Sequence, residues 1–210
     1  MRTMSHIGKH VWVLQECYQL ILPELGDKYF SCYRQIRRHE GMLGPDCFHS
    51  IKFLTGNWGY KKYNHMNSEL FSGAIDKAEE YYYRLVNKLK SGRGGAREAA
   101  WLAHFVVDAI EPAHLTDWRR GKDRRKKLRR HLLIEKQTEK IKNKNRSKLI
   151  IVSGEVKDYL IDKSRDIRSL NLWECLDSKK QMSVYKEKIV SWQIEAVAGI
   201  WLKAVKEAGA

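Results

Sequence analysis

Apolar residues recur with a helical period along almost the whole chain, and no stretch keeps the two-residue alternation of a strand. From 9 to 22, Val11, Leu14, Tyr18 and Leu22 fall on one stripe, and Pro23 is expected to end that helix. A second helix is predicted over 27–38, a turn over 41–45, and a loop at the Gly56-Asn57-Trp58-Gly59 cluster. A long helical pattern spans 68–90 through Leu70, Ile75, Ala78, Tyr82 and Leu85, and breaks at Ser91-Gly92-Arg93-Gly94-Gly95. The run over 99–110 is apolar on most sides, as expected of a helix at the centre of a bundle. Two more helices are predicted at 152–167 and 182–208, the latter with Ile189, Trp192, Ile194, Val197, Ile200, Trp201 and Val205 turned inward. The expected architecture is all-α, a single-domain multi-helix bundle over 1–210.

Composition agrees with a packed core. The 210 residues are 43% hydrophobic and include seven Trp and ten Tyr, which excludes a disordered class. No run approaches the ~20 apolar residues of a membrane span, and none near the N-terminus is long enough for a signal peptide. Cys17, Cys32, Cys47 and Cys175 are scattered without a CxxC pair. The expectation is a cytoplasmic protein with reduced thiols, without a transmembrane segment.

Charge changes the picture. Of the net +15, the segment 119–148 carries +12, with fifteen Lys and Arg against Asp123, Glu135 and Glu139. Within it, 123–144 can be helical, with Leu128, Leu132 and Ile141 as a thin apolar stripe. A run of this sign suits an anionic partner such as a phosphate ester, nucleic acid or lipid surface; the bland alternative is a solvated helix face.

The candidate chemistry lies next to it. In His104-Phe-Val-Val-Asp108-Ala-Ile-Glu-Pro-Ala-His114 the first His and the Asp are one helical turn apart and share a face. Pro112 marks the helix end and lets His114 return from the turn. His131-Leu-Leu-Ile-Glu135 repeats the one-turn spacing, so two helices can each offer a His/acid pair to one centre. Read alone, His104 is equally well a core histidine with Asp108 as its hydrogen-bond partner.

Together these motifs resemble the zinc-dependent phospholipase C family, whose fold is shared by the fungal single-strand-specific nucleases. His10-Val-Trp-Val-Leu is similar to the family's first-helix signature, and Gly41-Met-Leu-Gly-Pro-Asp46 to its Gly-x-x-x-Pro-Asp turn. His65 stands where the family has another ligand, and Ala196-Val-Ala-Gly-Ile-Trp201 resembles its last helix. The resemblance thus covers nearly the whole chain and implies two to three zinc ions. His65, His104 and Asp108 would hold the first, His114, His131 and Glu135 the second, and His10 with the bridging Asp108 the third. Asp46 would be the catalytic residue, accepting the proton of the attacking water or holding that water in line. The family's N-terminal Trp ligand has no counterpart among the nine residues before His10. His6, one turn before His10, is the substitute.

The implied function is a zinc-dependent phosphoric ester hydrolase, cleaving a phosphodiester with a zinc-activated water. A phospholipid substrate would call for peripheral contact with anionic membrane, for which Trp118, Leu132 and Leu133 beside the basic run are the candidates. The alternatives are a single-strand nuclease of the same fold, and a non-catalytic nucleic-acid- or membrane-binding relative. His39 and His49 read as structural, and Tyr81-Tyr82-Tyr83 as core rather than as a base-stacking platform.

Overall fold

A computed structural model of the chain describes residues 5–41, 44–45, 73–112, 114–115, 147–170 and 179–209, and all regular structure among them is helical. The helices are α1 (Ser5–Leu25), α2 (Tyr33–Gly41), α3 (Ala74–Lys90), α4 (Ala96–Ala109), α5 (Val156–Ser169) and α6 (Lys179–Ala208). Among the described residues, none is long and apolar enough to cross a membrane. The predicted basic helix, with Leu128, Leu132 and Ile141, lies outside them, as does the Gly56–Gly59 loop.

Helix α4 is the hub, packing against each of the other five. It is buried over twelve consecutive residues from Glu98 to Ala109, so its whole circumference must be matched by neighbours. Tyr81 of α3 packs its ring on both Trp101 and Phe105. Trp201 of α6 is fully buried and donates its indole N–H to the Ala99 carbonyl at 3.1 Å. The α3–α4 hairpin closes through Gly94 and Gly95, both at positive φ, a conformation that other residues rarely adopt. Tyr81 and Tyr82 are core, as the spacing predicts, while Tyr83 stands 45% exposed.

Two predicted helices are corrected. Helix α1 runs past Pro23 to Leu25; a proline in the last turn forfeits only one backbone bond, and just two helical residues follow it. Its buried stripe is His10, Val13, Leu14, Cys17, Ile21 and Leu25, whereas Leu22 is 53% exposed. Helix α2 begins at Tyr33 rather than at 27; 28–32 has no regular structure, and Phe30 within it is buried against Tyr18 and Trp201. It then continues to Gly41, beyond the predicted end. That extension puts Ile36 and Glu40, one turn apart, on the same buried face against α4.

Elsewhere the predicted elements stand with shifted ends. Helix α5 starts four residues later than the periodicity suggests, after a 147–153 segment without regular structure. In α6, Ile189, Ile194, Val197, Ile200, Trp201 and Val205 are buried as expected, and Trp192 is partly exposed.

A candidate metal centre

Four of the sequence-predicted ligands converge. Helix α1 supplies His10, α4 supplies His104 and Asp108, and the turn after α4 supplies His114; all four are buried. Asp108 divides its carboxylate among them. Its Oδ2 lies 3.2 Å from His104 Nε2, while Oδ1 lies 3.7 Å from His10 Nε2 and 3.4 Å from His114 Nδ1. One carboxylate therefore faces three imidazoles from three segments.

A fifth member was not foreseen. Glu40, at the end of α2, places Oε1 2.8 Å from His104 Nδ1 and 3.8 Å from His10 Nδ1. The two rings stack with centroids 4.2 Å apart and planes 21° from parallel. They stand between two carboxylates, Glu40 at their Nδ1 edges and Asp108 at their Nε2 edges. Glu40 follows Arg37-Arg38-His39, which in a sequence reads as a solvated helix end. The available signal was its one-turn spacing from the apolar Ile36.

The turn bearing His114 is clamped from behind. Helix α4 stops at Ala109, before Pro112, as predicted, and His114 N–H donates to the Glu111 carbonyl at 2.9 Å. From α5, Ser164 Oγ donates to the Ala109 carbonyl and Arg168 Nη2 to the Leu115 carbonyl, each at 2.8 Å. From α6, the Gln193 amide donates to the buried Glu111 carboxylate at 3.0 Å. Glu111 and Gln193 were likewise missed by the sequence reading, because nothing local distinguishes them from surface residues.

The separations decide what this set can do. A protonated imidazole bonded to a carboxylate brings N and O to about 2.7–2.9 Å. Two ligands sharing a tetrahedral zinc, each at about 2.0–2.2 Å, stand roughly 3.4 Å apart. Only His104–Glu40 has the first separation; the contacts to Asp108 cluster around the second. Imidazole nitrogen and carboxylate oxygen are the donors that catalytic zinc accepts, so the residues present fit the ion.

The remaining predicted site residues are not placed. Asp46, His65, His131 and Glu135 lie outside the described residues; His6 falls in the first turn of α1, its side chain likewise outside the description. A different feature lies at α2 and the start of α4. An open cavity of about 680 Å³ is lined by Arg38 and His39 of α2, Lys88 of α3, Arg93, and Arg97 and Glu98 of α4. Burial, then the charge of Arg97, lowers the His39 pKa, keeping that ring neutral near pH 7. Comparison with known proteins returned no match to any family model, curated protein or solved structure.

Proposed function

We propose that the chain is a metal-dependent phosphoric ester hydrolase of the kind its motifs resemble, with zinc as the ion. The observation that carries this is Asp108 facing His10, His104 and His114 at 3.7, 3.2 and 3.4 Å, spacings compatible with ligands that share an ion. In this reading His65, His104 and Asp108 would hold one ion, His114, His131 and Glu135 a second, and His10 with Asp108 a third. When bound, the ions lower the pKa of a water and offset negative charge on the phosphoryl group. The protein's own part is to hold the imidazoles apart at fixed separation, to exclude bulk water from their faces, and to accept the water's proton at Asp46.

A single-strand nuclease is the second reading, and one observation favours it over a lipid enzyme. Arg38, Lys88, Arg93 and Arg97 surround the open cavity next to α2 and α4. A polyanionic strand has further phosphates to place there, whereas a zwitterionic headgroup has none.

Metal analysis joined to a hydrolysis screen tests both readings. The substrates are a generic phosphodiester, phosphatidylcholine vesicles and single-stranded nucleic acid, with His104→Ala and Asp108→Ala as controls. Zinc-dependent cleavage lost in both variants supports the hydrolase. A zinc-free protein inert on all three substrates sinks it. Mononucleotide release that weakens steeply with salt selects the nuclease, and diacylglycerol release selects the lipase.

A further inference from the structure

The centre contains one contact of a different kind. His104 Nδ1 and Glu40 Oε1 are 2.8 Å apart, and both side chains are almost fully buried. The other edge of the same ring, Nε2, faces Asp108. A carboxylate on one ring nitrogen fixes the proton there, leaves the lone pair on the other, and sets the ring plane.

We infer that Glu40 is a positioning residue: it accepts the His104 Nδ1–H and so aims Nε2 of that ring at the ion shared with Asp108. This rests on the proposed metal centre. It goes beyond that centre by giving a role to a helix the ligand motifs do not touch. The competing role for Glu40 is direct ligation, since its carboxylate and the Nδ1 atoms of His10 and His104 lie close enough to surround an ion. The 2.8 Å separation argues against that role, because it is a hydrogen bond length and shorter than the spacing of two ligands on one tetrahedral zinc.

The fold holds Glu40 in place from both sides. Ile36, one turn earlier on the same face, is fully buried. After α2 the chain returns so tightly that a Cβ on Gly44 would overlap the Glu40 carbonyl. Gly44 and Pro45 lead directly to Asp46, so the residue that orients a ligand and the predicted proton acceptor are carried on adjoining parts of one segment. Gly44→Ala must displace the end of α2 or the turn, and Glu40 with it.

The test is zinc affinity and stoichiometry of the full chain, by competition with a chromophoric chelator, together with the visible absorption of the cobalt-loaded protein. Circular dichroism melting of each metal-free variant checks the fold. Glu40→Ala is expected to weaken zinc binding about 10- to 100-fold with the number of ions unchanged, and to shift the cobalt band. Glu40→Gln, whose amide oxygen still accepts the Nδ1–H, is expected to fall between Glu40→Ala and wild type. It carries the test if Glu40→Ala does not fold. Unchanged affinity in a folded variant overturns the positioning role, and loss of one whole equivalent overturns it in favour of direct ligation. Wild-type protein that binds no zinc overturns the metal centre itself, an outcome distinguishable from both.

Discussion

Helices α4 and α6 lie against each other in the interior and bury polar atoms in opposite ways. On α6 the buried indole and amide N–H groups donate to partners on α4 and the turn after it: Trp201 Nε1 to the Ala99 carbonyl, and the Gln193 amide to Glu111. Such pairs offset the desolvation of their members and hold one helix in register against the next. On α4, His104 and Asp108 belong to a set of three imidazoles and two carboxylates separated by 2.8 to 3.8 Å. The first arrangement pairs one donor with one acceptor; the second gathers groups of metal-ligand type, of which His10, Glu40 and His104 are close enough to hold an ion.

The largest expected effect separates the two on the stability side. Trp201→Ala removes a fully buried indole and should cost about 3–5 kcal/mol in urea unfolding, while zinc bound per folded molecule stays the same. A comparable loss of zinc from the folded fraction would mean the two helices are not separable.

Next comes the ligand side. At zinc 100-fold above its dissociation constant, the wild-type protein should gain about 2.7 kcal/mol over the chelator-treated form. Asp108→Asn keeps the shape and should abolish most of that gain. Thermal melting with and without zinc reads the difference directly, and an equal gain in the variant would break the contrast.

Smaller effects sharpen the stability half. Tyr82 donates to Glu207 of α6 at 2.5 Å, so Tyr82→Phe should cost about 1 kcal/mol without changing zinc affinity. Burial, then the Glu207 hydrogen bond, raises the Tyr82 pKa well above the usual tyrosine range. A raised folded-state value means the stability is fully present below the unfolded pKa of about 10 and is lost as pH climbs past it. Wild type should therefore lose stability above about pH 10 more steeply than Tyr82→Phe, in denaturant titrations at stepped pH.

The contrast was partly legible beforehand. Helix α6 and the burial of α4 follow from hydrophobic periodicity, which is a local signal. His104 and Asp108 were readable from their one-turn spacing and His114 from the turn at Pro112, whereas His10 was readable only through the family resemblance. Glu40 was not, because it lies beyond the predicted end of α2, after the charged run Arg37-Arg38-His39, and only the helix continuing to Gly41 places it there. Glu111 and Gln193 meet across 82 residues, a pairing that only the assembled bundle creates.

The account turns on whether an ion sits between those groups. Anomalous diffraction at the zinc edge, from crystals grown with zinc, tests it most directly. The prediction is a peak within bonding distance of both His104 Nε2 and Asp108, with Glu40 hydrogen-bonded to the far side of the ring. No peak there, with the imidazoles closed onto the carboxylates at hydrogen-bond distance, would contradict it.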